Sequence, residues 1–381
     1  MRILLVSEFF PTGKDLRFSG GVEARTYFVA KYFVKKHQVS VICSRQPGTK
    51  KFEIINGINI HRVGPTINYY ATGKTQDIFA VSQFILSAIK KGSTIGSDFV
   101  EGNNFLAHLI AKQIAQRAKI PVIFWYPDVF LGTWIKTSGI FAGIAGLLLE
   151  KINLLRSANY YIAISKVTQE KLLKAGVQKN KISVIPCGID SLEFKSYVPK
   201  QKFPTIVCVS RLVSYKRVAD LLWAFALIRK SIPKLKLIIV GRGPEENRLK
   251  GICKMLKISS GVSIVSNLSR IDLIKTIKSS HLLCLPSETE GFGIAIIESA
   301  AAGVPFVISD IEVFKEVTKN SQGGLIFKLG NIKDLSSKIE KLLTDKNFYA
   351  KKRKEALKLA QNYHWQDIGE RTGKLYQTLI H

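Results

Sequence analysis

The chain has 381 residues, 46 % of them hydrophobic, and its 57 Lys and Arg against 28 Asp and Glu give a formal net charge of +29. This composition excludes global disorder, and the length favours two domains of roughly 150–200 residues over a single one. The five cysteines are scattered and form no Cys-x-x-Cys pair. They argue against a disulfide framework and a zinc site, and they favour a reducing cytoplasmic compartment. The positive charge suits an anionic partner, and a generally basic, solvated surface is the alternative interpretation.

The first half of the chain alternates apolar runs with helical patterns. Its opening run is short and is followed by an acid, so it predicts a buried strand and not a signal peptide. No apolar run reaches the roughly 18–20 residues of a membrane-spanning helix. Strands are predicted at 2–7, 39–43, 98–101, 121–126 and 160–164, with helices from the glycine-rich loop 19–23 to about 36, at 104–118 and at 166–175.

The alternation restarts after a polar segment, 191–204, that contains two prolines. Strands are predicted at 205–210, 236–240, 262–265, 282–285 and 305–308, with helices at 219–230, 245–257, 270–278 and 294–302. This pattern indicates the α/β class with two Rossmann-like, doubly wound domains. The first domain spans 1–195, and a C-terminal helix at 362–381 packs back on it. The second domain spans 196–361. Such sheets bind ligands at the carboxyl ends of their strands, so we expect a site in a cleft between the domains.

Two glutamates flank a glycine-rich helix start in the second half. Glu290 precedes Gly291-Phe292-Gly293, and Glu298 lies about two turns along the helix that follows. Exposed N–H groups at a helix start favour anions and hydroxyl-rich ligands, and glycine lets a ligand approach the backbone. One carboxylate suits sugar hydroxyls and the other a ribose diol. The alternative is an acid near a helix start and an ordinary, partly exposed glutamate.

Two loops carry features of phosphate binding. The loop after the strand at 205–210 contains Arg211 and Lys216, whose charges suit phosphate oxygens and the departure of a nucleoside diphosphate. Gly20 and Gly21 follow the first strand and are typical of a loop that binds phosphate or sugar at a helix start, although no Walker lysine follows. A solvated basic loop and an ordinary tight turn are the alternatives.

Two further segments bear on chemistry. Val240-Gly241-Arg242-Gly243 imitates a dinucleotide-binding loop, but the next strand ends in Ser266-Asn267 and lacks the acid that would bind ribose, which argues against a dehydrogenase. Tyr126 and Asp128 come at the end of the strand at 121–126. Asp128 is placed either to orient or deprotonate an acceptor hydroxyl or to cap a helix.

In order along the chain, these motifs resemble glycosyltransferase family 4, the group 1 glycosyltransferases, which have the GT-B fold. The resemblance extends over nearly the whole chain and includes the complete Glu-x7-Glu pattern. The matching segments are 20–23, 164–166, 184–190, 210–216, 240–244 and 286–298.

The resemblance implies a role for each matching residue. Arg211 and Lys216 would bind the diphosphate of a nucleotide-sugar donor, Glu298 its ribose and Glu290 its sugar, while Gly21 would approach the diphosphate from the other domain. The backbone of three residues would also hold the sugar: Phe292, Gly293 and Ile294. The family often has a histidine where this chain has Tyr126-Pro127-Asp128. The residues assigned to the acceptor side are Gly20, Tyr126 and Asp128.

The predicted reaction is the transfer of a hexose-type sugar with retention of anomeric configuration. Arg211, Lys216, Glu290 and Asp128 form the expected catalytic set, and none of them is an evident nucleophile. Catalysis would be electrostatic and positional, with attack assisted by the leaving phosphate. The family is typically metal-independent, and the nearest imitation of Asp-x-Asp, residues 310–312, is interpreted as a loop. We therefore expect no metal and no other cofactor.

An uncharged apolar segment at 137–149 lies between Lys136 and Lys151, with Arg156 close by. With the net positive charge, it suggests peripheral binding to the cytoplasmic face of an anionic membrane and a glycan or lipid-linked acceptor, as in cell-surface polysaccharide or glycolipid synthesis. A buried core helix is the alternative. Two other functions stay open: a nucleotide-sugar epimerase of the same architecture, and a nucleic-acid-binding protein. No nucleic acid is expected, because no RNA or DNA module is recognisable.

Overall fold

A computed structural model describes residues 1–13, 16–18, 20–67, 78–135 and 139–380. The chain divides into two compact units, one of Met1–Cys187 with Trp365–His381 and one of Gly188–His364. The division falls between Cys187 and Gly188, whereas the sequence pattern predicts it between residues 195 and 196. Each unit is built on a parallel sheet with helices, and the predicted α/β class is confirmed.

Before residue 188, the described part of the first unit contains an eight-stranded sheet and five helices. The strands are β1 (Arg2–Ser7), β2 (Gln38–Arg45), β3 (Phe52–Ile55), β4 (Ile58–Thr66), β5 (Phe99–Asn103), β6 (Val122–Tyr126), β7 (Tyr160–Ala163) and β8 (Ile182–Val184), and the helices are α1 (Gly21–Phe33), α2 (Ile78–Gly92), α3 (Phe105–Ala118), α4 (Ile140–Leu155) and α5 (Lys166–Lys174). The strand order is β3-β4-β2-β1-β5-β6-β7-β8, and β3 runs antiparallel to β4. The order reverses between β1 and β5, which are paired in parallel.

The second unit contains a six-stranded sheet whose neighbouring strands are all parallel. The strands are β9 (Thr205–Val209), β10 (Lys236–Val240), β11 (Val262–Val265), β12 (Leu282–Leu285), β13 (Phe306–Ser309) and β14 (Gly324–Phe327), and the helices are α6 (Val218–Ile228), α7 (Glu246–Met255), α8 (Arg270–Ser279), α9 (Ile294–Ala301), α10 (Glu312–Val317), α11 (Ile332–Thr344) and α12 (Lys346–Ala360). The order β11-β10-β9-β12-β13-β14 is that of the Rossmann fold. Its switch point lies between β9 and β12.

The last helix, α13 (Trp365–Gln377), belongs to the first unit. Its Tyr376 hydroxyl donates to Glu101 Oε2 at 2.7 Å, and Trp365 stacks on Phe28 with ring centroids 5.4 Å apart. Glu101 also pairs with the buried Arg25, whose guanidinium lies 4.8 Å above the Trp125 ring. This buried network fastens the C-terminal helix to the centre of the eight-stranded sheet.

The central strands are apolar and buried almost throughout, as parallel strands covered on both faces require. Their interior side chains pack into the core, so ligand-binding groups must lie in the loops at the strand ends. All five cysteines are buried, and none of them forms a disulfide bond.

Helix α4 departs from this pattern because its large apolar side chains face outwards. Six of them form what we call the exposed α4 face: Ile140, Phe141, Ile144, Leu148, Ile152 and Leu155. The side turned inwards is built from small or polar residues, Gly143, Glu150 and Asn153. The alternative of a buried core helix for the apolar segment is therefore wrong, apart from residues 136–138, which lie outside the described residues. Among the described helices, none is long and apolar enough to cross a bilayer.

Candidate functional site

The loops that carry the predicted donor-binding residues lie at the switch point of the six-stranded sheet. Strands β9 and β12 pair directly, so the loops after them leave the same edge of the sheet. A backbone hydrogen bond from Glu288 N to Tyr215 O, 2.8 Å long, ties the two loops together. Arg217 adds an ion pair to Glu288 at 3.8 Å. The topology thus places Lys216 and Glu290 side by side although they are 74 positions apart in the sequence.

Lys216 and Glu290 form an ion pair, with Lys216 Nζ 2.6 Å from Glu290 Oε1. The same ammonium donates to the Thr289 carbonyl at 3.1 Å, and the Ser287 hydroxyl donates to Glu290 Oε1, also at 3.1 Å. The side chains are 8 % and 17 % exposed. A cation and a hydroxyl-binding carboxylate are therefore held in a fixed geometry with part of their surface accessible.

Arg211 lies on the exposed side of the loop after β9, where its Nη2 donates to the Tyr215 hydroxyl at 2.7 Å. This loop packs on the glycine-rich loop after β10. A Cβ on Gly241 would lie 1.8 Å from the Ser210 carbonyl oxygen, and one on Gly243 would lie 2.3 Å from that of Leu212. The glycines that imitate a dinucleotide-binding loop therefore serve close packing behind Arg211.

The glycine-rich segment before α9 presents backbone. Gly293 has φ +92°, a left-handed conformation that favours glycine, and it caps α9 without a side-chain hydrogen bond. A Cβ there would lie 2.9 Å from the Phe314 ring. Phe292 is buried against Tyr363, so its side chain is not available to a ligand. The first N–H groups of α9, beginning at Ile294, have no partner within the helix and suit a polar ligand.

Glu298 is buried on α9 and paired with Arg270, the first residue of α8. Arg270 also pairs with Glu193 at 2.8 Å. The two carboxylates raise the pKa of the Arg270 guanidinium, against the effect of its burial. Burial raises the pKa of Glu193, and Arg270 counteracts this shift. Glu298 is thus part of a buried ionic cluster and not an ordinary surface glutamate.

In the first unit, Asp128 follows β6 and is buried. Its Oδ1 accepts from Lys171 Nζ of α5 at 2.6 Å and from the Val129 N–H at 2.7 Å. Glu150 of α4 holds the same loop, since its carboxylate accepts from Phe130 N at 3.2 Å and from Trp134 Nε1 at 2.7 Å. Burial raises the pKa of Glu150 to about 7, and the nearby Asp128 charge adds to the shift.

The other two residues assigned to the acceptor side differ in accessibility. Tyr126 is fully buried in the core of the first unit, where burial raises the pKa of its hydroxyl, so its ring cannot contact an acceptor in this structure. Its position at the end of β6 instead fixes the start of the Asp128 loop. Gly20 is extended and caps α1, whose first residue is the exposed Gly21. Ser19 lies outside the described residues.

Several residues of the site have no signal in the sequence. Arg270 and Glu193 behind Glu298, and Lys171 and Glu150 around Asp128, come from distant segments and are placed by tertiary structure. Within the described ranges, no group of three or more His, Cys, Asp or Glu is placed to hold a metal ion. Residues 310–312, interpreted as a loop, include the start of α10, and Asp310 accepts from Leu329 N at 2.9 Å.

Comparisons with known proteins match both units of the chain. The family model described as Glycosyltransferase Family 4 matches residues 19–191, and that described as Glycosyl transferases group 1 matches residues 190–359. The chain is 25 % identical over 362 residues to the N,N'-diacetylbacillosaminyl-diphospho-undecaprenol alpha-1,3-N-acetylgalactosaminyltransferase of Campylobacter jejuni, covering 91 % of this chain and 92 % of that protein.

Two solved structures are similar over the full length. Sucrose-phosphate synthase from Thermosynechococcus elongatus gives a TM-score of 0.83 at 20 % identity, covering 99 % of this chain and 98 % of that one. The Anabaena protein HepE, solved in complex with UDP-glucose, gives 0.79 at 17 % identity and covers all of both chains. At these identities the likeness concerns the fold, and the predicted GT-B fold is confirmed.

Proposed function

The chain belongs to glycosyltransferase family 4, the group 1 glycosyltransferases, and on that premise we propose that it moves a hexose-type sugar from a nucleotide-diphosphate sugar to an acceptor hydroxyl with retention of configuration. The observation that carries the proposal is the Lys216–Glu290 pair at the switch point of the six-stranded sheet. This is where doubly wound sheets bind nucleotides. A cation for phosphate and a carboxylate for sugar hydroxyls lie within one hydrogen-bond length of each other there.

The proposed donor contacts of the second unit rest on the positions of its residues at the switch point, and that of Gly21 rests on the resemblance to the family. Arg211 and Lys216 would bind the diphosphate and stabilise the charge that develops as the bond from the sugar C1 to the phosphate oxygen breaks. Glu290 would accept from sugar hydroxyls, with the backbone at Phe292, Gly293 and Ile294 completing the sugar site. Glu298 would accept from the ribose hydroxyls, and Gly21 would approach the diphosphate.

For the chemical step, the acceptor oxygen would attack C1 on the face that the diphosphate leaves. Its proton would pass to the departing phosphate oxygen, so the atoms balance without an enzymatic nucleophile. Asp128, held by Lys171 and the Val129 N–H, would orient the acceptor hydroxyl. We propose that no metal or other cofactor is needed, because Arg211 and Lys216 supply positive charge to the diphosphate. Full turnover in excess EDTA is the expected result.

We further propose that the acceptor is a glycan or a lipid-linked molecule, and that the enzyme binds an anionic membrane at its cytoplasmic face. The exposed α4 face supports this proposal, since Phe141 and Leu155 are 89 % and 85 % exposed. The acid of α4, Glu150, is turned inwards, while Lys151 and Arg156 are exposed beside the apolar residues. An apolar stripe flanked by cations suits the interface of an anionic bilayer. The Campylobacter relative, by its name, acts on a diphospho-undecaprenol-linked substrate.

The donor assignment is tested by calorimetric binding of UDP-, GDP- and ADP-sugars to wild type and Glu290→Gln. We expect one nucleotide class to bind the wild type, and the variant to lose affinity for the nucleotide sugar while it keeps affinity for the free nucleoside diphosphate. Equal loss for both ligands would contradict the placement of the sugar at Glu290. An epimerase would convert the donor sugar into its epimer without an acceptor. Formation of the epimer in the absence of an acceptor would therefore contradict the transferase proposal.

A further inference from the structure

Buried charged side chains hold Glu298, the second glutamate of the Glu-x7-Glu motif, and they lie outside that motif. Arg270 donates from Nη1 to Glu298 Oε1, and from Nε and Nη2 to Glu193 Oε2 at 3.1 and 2.8 Å. Glu298 lies on α9, Arg270 opens α8, and Glu193 lies in the short helical turn Ser191–Phe194. The three side chains are only 6 %, 7 % and 20 % exposed. We call them the Arg270 triad.

A buried ionic triad of this kind is not expected to add much to the free energy of unfolding. Burying charges carries a large desolvation penalty, and well-packed apolar residues of the same volume often give equal or greater stability. What the guanidinium does provide is geometry, because its planar fork can hold two carboxylates at once and lock their orientation.

We propose that Arg270 is a positioning residue for donor recognition, which holds the Glu298 carboxylate oriented to accept from both ribose hydroxyls, and that Glu193 holds Arg270 in place. The inference rests on the proposed role of Glu298 and extends it. The preference for a ribose over a dideoxyribose then resides in the Arg270 triad and not in Glu298 alone.

The test compares Kd values for UDP, GDP and ADP with those for their 2′,3′-dideoxy counterparts, by calorimetry, in four proteins. These are wild type, Arg270→Lys, Glu193→Gln and Glu298→Gln. Hydrogen bonds to a charged group predict that wild type binds the ribonucleotide about 10–100-fold more tightly than the dideoxynucleotide. Arg270→Lys keeps the positive charge but loses the planar guanidinium, which can hold two carboxylates at once. Its ratio should fall below about fivefold, as in Glu298→Gln, while the dideoxynucleotide Kd stays within about twofold of wild type.

The outcomes separate this inference from the donor assignment. If Arg270→Lys keeps the wild-type ratio of the two Kd values, or binds both ligands equally more weakly, the positioning role is overturned. A reduced ratio in Glu298→Gln would still support the donor site in that case. A wild-type ratio in Glu298→Gln overturns the donor assignment itself, and with it this inference, as does a wild type that binds none of the nucleotides. Should Arg270→Lys fail to fold by thermal melting, Glu193→Gln decides: an intermediate ratio supports the proposal and an unchanged ratio overturns it.

Discussion

Replacement of Phe141 by aspartate should weaken the binding of this protein to anionic vesicles by at least about tenfold. Fully burying a phenylalanine side chain is worth about 1.5–3 kcal/mol. Phe141 is 89 % exposed, so its transfer into the lipid interface would contribute about 1.3–2.7 kcal/mol, which corresponds to about 10–90-fold in the partition coefficient. The new carboxylate faces anionic lipid and adds repulsion. Because the side chain has few contacts with the protein, the fold should be unaffected.

The assay is co-sedimentation with sucrose-loaded vesicles of phosphatidylcholine with and without phosphatidylglycerol, at low and physiological salt. Tyr197→Asp is the matched control, since Tyr197 is also an aromatic residue with 89 % exposure but lies in the other unit. We expect wild type and Tyr197→Asp to bind anionic vesicles alike, with affinity that falls as salt rises, and Phe141→Asp to remain in the supernatant. Equal partitioning of the two variants would refute the exposed α4 face as the membrane contact. Self-association of wild type through this face, lost in Phe141→Asp without any vesicle binding, would identify a second copy as the occupant.

Three further predictions concern the two units. Arg211→Ala should lower kcat by about 10²–10³-fold, as for removal of one preorganised donor to a developing charge, and unchanged turnover at saturating donor would refute its role. Gly243→Ala should also lower donor affinity, because its Cβ would displace the Leu212 carbonyl, 2.3 Å away, whereas Gly251→Ala on α7, which has open space at that position, should bind as wild type does. Glu150 has a folded pKa of about 7, above its unfolded value, so the stability it contributes is present at low pH and is lost as pH rises to about 7. Urea unfolding at pH 5 and 8 should show wild type losing up to about 3 kcal/mol more than Glu150→Gln across this range, and parallel losses would contradict the assigned pKa.

The sheets of both units were largely predictable from the sequence because alternation of apolar runs and helical patterns is a local property. The buried strands β9, β10 and β12 lie within a residue or two of their predicted bounds. The loops after β9 and β12 were predicted for the same reason, since a basic or glycine-rich segment directly after a buried run marks a strand end. Their side-by-side placement follows only from the strand order, which the sequence does not show.

Several elements were not predicted, including the strands β3, β4, β8 and β14 and the helix α2, and for β3 and β4 a local signal existed. The hairpin of β3 and β4 turns at Asn56-Gly57, and both residues have positive φ, +52° and +82°. An Asn-Gly pair between alternating apolar residues is a strong signal for such a hairpin. The strand β3 has only four residues, and its side chains are exposed or half-buried, so it differs from the longer buried apolar runs by which the other strands are predicted.

Other features depend on tertiary structure and could not be predicted from the sequence. The apolar composition of α4 is compatible with burial, but its glycines decide otherwise. A Cβ on Gly143 would lie 2.6 Å from the Ile135 Cα and one on Gly146 would lie 2.4 Å from the Trp134 ring, so the small side packs inwards and the large side faces outwards. Arg270 and Glu193 are 77 residues apart, and nothing near either residue indicates the pair.

The most direct test of the account is product analysis by NMR after incubation with the donor that binds best and with glycan and lipid-diphosphate-linked acceptors. Wild type is expected to form a glycoside with the anomeric configuration of the donor sugar, and Glu290→Gln is expected to form it at a rate lower by about 10²-fold or more. A product of inverted configuration would contradict the proposed mechanism. Transfer by Glu290→Gln at the wild-type rate would contradict the assignment of the Lys216–Glu290 pair as the centre of the donor site.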